Sequence, residues 1–216
     1  MDQVGHGPVV LGGHSMGAYV AARLAAEHPE HVSSLVIVDG ALPLPVPEDK
    51  DPEEALAQAL GPALERLGTI FPTREDYVAM WHNHPAFAAG WNADVEAYVQ
   101  YDLEPAGAEH PGAVRSVVSP EAVRADSRDL MVDEDTRSAL GRVRAPVWLL
   151  RSPRGLLNEA DRPLLPREVF DEYVAAHPEA HVENVDDTNH YTLLIGDGSP
   201  GPAHVVAAFR AALRTA

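Results

Sequence analysis

Apolar positions come in two rhythms along this chain, and their order is informative. Val9-Val10-Leu11 is a short continuous run that breaks at Gly12-Gly13 and passes through Ser15 into a stretch from Met16 to His28. That stretch reads as a helix: Met16, Val20 and Leu24 recur every four residues, alanines favour helix, and Pro29 stops its continuation. Leu35-Val36-Ile37-Val38 follows, too apolar for a half-exposed strand and suited to a parallel strand covered on both faces, ending at Asp39-Gly40. Pro43, Pro45 and Pro47 then alternate through an extended connector.

From about Asp51 to Gly141 the helical rhythm takes over, with helices expected at 52–67, 73–82, 92–102 and 120–130 and almost no strand-like run. Thr73 with Asp76 three residues later resembles a capping box, and Ser119-Pro120 supplies an N-cap before a proline at the first helical position. The strand rhythm returns at Val147-Trp148-Leu149-Leu150. A helix is expected over 166–176, a last short strand over 180–185, and a closing helix over 202–214 after a glycine-rich loop, 196–201. The expected architecture is therefore α/β: a mostly parallel sheet built from residues 1–46 and 142–216, interrupted by an all-helical insertion over 47–141.

Composition narrows the chemistry. A chain of 216 residues suffices for one core with a small attached subdomain. The formal charge of −17, with no local cluster of Lys or Arg, would repel a phosphate backbone, so nucleic acid is not expected as a partner. There is no cysteine, which excludes disulfides, thiolate metal sites and a cysteine nucleophile. No run approaches 18 continuous apolar residues and the first residues lack a signal-peptide pattern, so the expectation is a cytoplasmic protein without a membrane span.

The motif that carries chemistry is Gly13-His14-Ser15-Met16-Gly17 between a strand and a helix. A serine hydroxyl is a poor nucleophile without a base to take its proton and an unobstructed approach to the substrate carbonyl. A tight strand-to-helix turn exposes the hydroxyl, with Gly13 and Gly17 expected to remove clashing side chains, and it places the Met16 N–H where it could stabilise an oxyanion. This elbow, with the late Asn189-His190-Tyr191, resembles the α/β-hydrolase superfamily over nearly the whole chain.

The resemblance implies a cofactor-independent serine hydrolase with the order Ser, acid, His and a helical cap. Ser15 would be the nucleophile and His190, after the last strand, the general base. Two regions could supply the acid: Asp39 at the end of the second strand, or the more usual place after the 147–150 strand, where no carboxylate occurs until Glu159 and Asp161. His14, Trp81, Trp91 and Tyr191 are candidates to line a small-molecule substrate. His82 and His84, at i and i+2, point to different sides of a helix and lack a carboxylate framework, so no metal is expected.

Relatives of this kind carry several strands before the elbow, whereas here the elbow strand starts within the first dozen residues. The expectation is a chain without the N-terminal part of the sheet and its second oxyanion donor: a wrongly placed start, a short variant, or a chain completed by a partner. A sheet edge exposed in this way would favour self-association. The substrate expected is an ester, thioester or lactone of a small or medium apolar acyl group. Carbon–carbon cleavage or acyl transfer by the same three residues is an alternative, as is a non-catalytic binding or dimerisation module.

Overall fold

The structure is a computed structural model and describes residues 7–45, 51, 61, 63–88 and 90–215. Its elements, in chain order, are β1 (Val9–His14), α1 (Met16–Glu27), β2 (Val32–Val38), α2 (Arg74–His82), α3 (Ala93–Tyr101), β3 (Leu103–Pro105), β4 (Val114–Ser116), α4 (Pro120–Val132), α5 (Glu134–Arg137), β5 (Val147–Arg151), α6 (Arg167–Ala176), β6 (His181–Asn184) and α7 (Gly201–Thr215). Residues 63–67 are also helical, and most of the helix expected over 52–67 lies outside the described residues. No helix among the described residues is long and apolar enough to cross a membrane.

Two compact units account for these elements. The first comprises residues 1–44, 133–195 and 199–216 and is built on a parallel sheet in the order β1-β2-β5-β6, with β1 at one edge. β2 is buried on both faces because its side chains divide between two cores. Leu35 and Ile37 pack with Leu149, Phe170 and the alanines of α1, while Val36 and Val38 pack with Trp148, Leu150, Leu193 and Ala208 of α7. Alternation of side chains across a strand requires a continuous apolar run for such double coverage.

The four-residue repeat that marks α1 as a helix is not its most buried face. Ala18, Tyr19, Ala21, Ala22 and Ala25 are the buried face, whereas Val20 is 66% exposed. Small alanines let the helix approach the strands closely, and this outweighs the larger apolar area at every fourth position.

The second unit, residues 45–132 with 196–198, is not all helical as expected. β3 and β4 pair antiparallel, Leu103 opposite Ser116 and Pro105 opposite Val114, and Phe71 bridges to Val114. Strands of three residues, one ending in proline, have too few positions to show a period of two. A buried polar network fixes this hairpin: Asp102 accepts from Arg66 Nη1 at 2.8 Å, from Ser116 Oγ at 2.6 Å and from the Tyr77 hydroxyl, and Arg66 lies over the Trp81 ring.

Helix starts agree with the capping chemistry. Thr73 Oγ1 accepts from Asp76 N, Asn92 Oδ1 from Asp94 N and Val95 N, and Ser119 Oγ from Ala122 N. The end of the insertion differs from the expected 141. Residues 133–141 belong to the first unit because Ala139 and Leu140 enter its core and Arg23 of α1 binds Asp133 and Thr136.

Candidate active site

The ends of the parallel strands assemble the site, all within the first unit. β1 runs three residues beyond its apolar part, through Gly12-Gly13-His14, before the chain turns at Ser15. Ser15 N–H donates to Val38 O at 3.0 Å, and Asp39 N–H to Leu150 O at 2.8 Å, so each of these two residues is pinned by the carbonyl of the neighbouring strand. Ser15 is held at φ 54° and ψ −126°, a conformation that costs a non-glycine residue of order 1–3 kcal/mol and persists only where the surroundings enforce it.

The enforcement comes from backbone packing. A Cβ on Gly13 would lie 2.1 Å from the Gly17 carbonyl oxygen, and one on Gly40 2.5 Å from the Ser15 carbonyl oxygen. Gly17, expected to relieve a clash of its own, faces open space instead, with nothing within 4 Å of the position a Cβ would take. The tightness of the turn therefore falls on Gly13, where strand and helix meet most closely. Met16 N–H opens α1 without a backbone acceptor among the described residues, as the first N–H groups of a helix do.

Asp39 and His190 meet in the interior. Asp39 is 0% and His190 3% exposed, and Asp39 Oδ2 lies 2.7 Å from His190 Nδ1. The second carboxylate oxygen, Oδ1, accepts the Ser152 N–H at 3.1 Å. A buried carboxylate that accepts through both oxygens is fixed in orientation and holds the imidazole with its proton on Nδ1, leaving Nε2 as the basic nitrogen. Asp39 also has a positive φ of 45°, which the following Gly40 and the strand-end turn accommodate.

Neither Glu159 nor Asp161 reaches His190. Glu159 accepts the Gly155 N–H through its backbone carbonyl, and Asp161 is exposed, so neither carboxylate is brought to His190. The place after β5 where a carboxylate is more usual holds Ser152. It is fully buried, with Oγ 2.9 Å from Thr188 O and 3.0 Å from Arg154 O.

The loop that carries His190 is fixed from several sides. Asn189 Oδ1 accepts from Tyr191 N and Thr192 N, Thr188 Oγ1 donates to Val185 O, and His14 Nε2 sits 2.9 Å from His190 O. Because a carbonyl only accepts, His14 carries its proton on Nε2. Burial, with the neighbouring His190, drives its pKa down to about 3, so it stays neutral. Among the described residues Ser15 Oγ makes no hydrogen bond with His190, a contact that commonly closes only around a substrate.

Of the other expected lining residues, Tyr191 is half-buried and edge-on to His190, with ring centroids 5.7 Å apart. Trp81 is 1% exposed and fills the core of the second unit against Tyr77 and Phe87, so it offers no surface to a ligand. Trp91 stacks on His82 at 3.7 Å and donates to Glu96. His84 caps the turn at 85–87 by accepting from Ala86 N. Sequence reasoning missed Ser152 and the structural role of His14. Ser152, two residues after the apolar run 147–150, carried no chemical signal of its own, and His14 was expected to line the substrate rather than to hold the His190 carbonyl.

The chain is similar to several known proteins. A stretch of 44 residues, 20% of this chain, is 50% identical to Lipase LipV of Mycobacterium tuberculosis, and the chain covers 17% of that curated relative's length. Among solved structures, E-2-(acetamidomethylene)succinate hydrolase matches 99% of the chain and 69% of its own, with a TM-score of 0.74 and 20% identity. The thioesterase domain from the curacin biosynthetic pathway matches 99% and 68%, with a TM-score of 0.62 and 20% identity. A marine microorganism esterase matches 94% and 69%, with a TM-score of 0.58 and 15% identity. These likenesses speak to the fold, and the family model described as alpha/beta hydrolase family matches residues 1–208. With that match running from the elbow strand through the His190 loop into the closing helix, the chain belongs to the alpha/beta hydrolase family.

Proposed function

We propose that the protein is a cofactor-independent serine hydrolase that cleaves an ester, thioester or lactone of a small or medium apolar acyl compound. The observation that carries this reading is the buried Asp39–His190 pair, 2.7 Å apart, at the same strand ends as the strained Ser15 elbow. The lipase, esterase and thioesterase among the similar proteins favour acyl substrates.

In this reaction His190 Nε2 takes the Ser15 Oγ proton as Oγ attacks the carbonyl carbon. Asp39 holds the Nδ1–H and stabilises the imidazolium. The Met16 N–H donates to the oxyanion, with the N-terminal end of α1 adding its dipole. Collapse of the tetrahedral intermediate releases the alcohol or thiol, which receives the proton from His190. Water, deprotonated by the same nitrogen, then frees the acid and restores Ser15. Tyr191, beside the base, lines the acyl site.

The test is release of nitrophenolate from a series of p-nitrophenyl esters of increasing chain length, by the wild type, Ser15→Ala and His190→Ala. Turnover by the wild type alone, about 10³-fold or more above either variant, is the expected result. Equal rates for all three would overturn the proposal.

A further inference from the structure

The base loop follows β6, and the nucleophile follows β1, at opposite edges of a four-stranded sheet. Their alignment therefore has to be carried across two intervening strands. The strand ends tie this loop in turn: Ser152 after β5 to Thr188 O with Arg154 bridging to Asn189, Asp39 after β2 to His190 Nδ1, and His14 on β1 to His190 O. Only the last comes from the strand that carries the nucleophile. His14 is the residue immediately before Ser15, and its ring also lies against the imidazole of His190, with centroids 4.4 Å apart and planes 31° from parallel.

We propose that His14 is the positioning residue that sets His190 over the elbow, by donating its Nε2–H to the His190 carbonyl. This role rests on the catalytic reading of Ser15 and His190 given above. Two chemical features suit it. A short donor on β1 moves with the elbow, so any shift of Ser15 carries the base with it. A ring that remains neutral does not oppose the positive charge that His190 acquires in the transition state, as a lysine or a protonated histidine at this distance would. Among the described residues, His190 is the titratable group that acts on His14, as both its hydrogen-bond and its ring partner.

The test compares wild type, His14→Gln and His14→Phe. Glutamine keeps an N–H donor of similar reach, whereas phenylalanine keeps the ring and loses the donor. Three measurements are made: the rate of serine phosphonylation by a fluorophosphonate between about pH 5 and 9, the thermal midpoint, and the low-field proton resonance of the His190 Nδ1–H bound to Asp39. His14→Phe is expected to melt cooperatively, react about 10²-fold more slowly and lose or broaden the low-field resonance. His14→Gln is expected to retain both the rate and the resonance, with the acid limb of the rate profile unmoved.

Equal rates and resonances in all three proteins would overturn the proposal. So would a His14→Phe protein that no longer melts cooperatively, or equal losses in both variants, because each would make His14 a packing residue. Wild-type protein that does not react at all would overturn the hydrolase reading instead, and the resonance alone then decides the role of His14.

Discussion

Asp39→Asn is expected to lower ester turnover by about 10⁴-fold while leaving the thermal midpoint close to that of the wild type. The substitution is nearly isosteric, and Oδ1 can still accept the Ser152 N–H that now anchors the carboxylate. The other position becomes an amide NH₂, which donates. It therefore meets the unprotonated form of His190 Nδ1, drives the proton to Nε2, and removes the base that Ser15 needs. Steady-state kinetics on the wild type, Asp39→Asn, Glu159→Gln and Asp161→Asn check the assignment, the last two being expected to turn over at the wild-type rate. A large loss in Glu159→Gln, with Asp39→Asn active, would return the acid to the loop after β5.

The second large effect concerns the elbow itself. Gly13→Ala puts a methyl group 2.1 Å from the Gly17 carbonyl oxygen and 2.5 Å from its carbon, so strand and helix must separate. Overpacking against backbone costs about 3 kcal/mol, which lowers the thermal midpoint by roughly 10 °C for a chain of this length. Moving Ser15 relative to His190 should cost a further factor of about 10² in turnover. Gly17→Ala is the contrasting case: open space surrounds the position and alanine favours helix, so its midpoint should match or exceed that of the wild type. Differential scanning calorimetry with parallel activity assays separates the two. A stable, active Gly13→Ala protein would mean that the close approach of β1 and α1 is not what holds the elbow.

Much of this was legible in the sequence because strong local signals coincided with the fold. The order of apolar run, Gly-His-Ser-Met-Gly and alanine-rich helix identifies the elbow, and the unbroken Leu35–Val38 run identifies a strand covered on both faces. Asp39 was within reach of the same reasoning, since it ends that strand, yet only the buried contact with His190 distinguishes it from Glu159 and Asp161.

The features that escaped are those decided by contacts distant in the chain. The face of α1 turned to the sheet is the alanine face, chosen by how closely the helix can approach rather than by side-chain hydropathy. The β3–β4 hairpin is fixed by Asp102, Arg66 and Ser116, which are far apart in sequence and individually unremarkable. Ala139 and Leu140 look like the tail of the insertion, but the core of the first unit claims them. His14 reads in the sequence as a residue lining the substrate site, and its hydrogen bond to the His190 carbonyl spans 176 residues.

In the proposed function Ser15 is a nucleophile activated by His190 and Asp39. The most direct measurement of that role is peptide mapping by mass spectrometry after incubation with a fluorophosphonate. One phosphonate per chain is expected on the peptide containing Ser15, absent from Ser15→Ala and strongly slowed in His190→Ala and Asp39→Asn. An unmodified wild-type chain, or an adduct on a different residue, would contradict it.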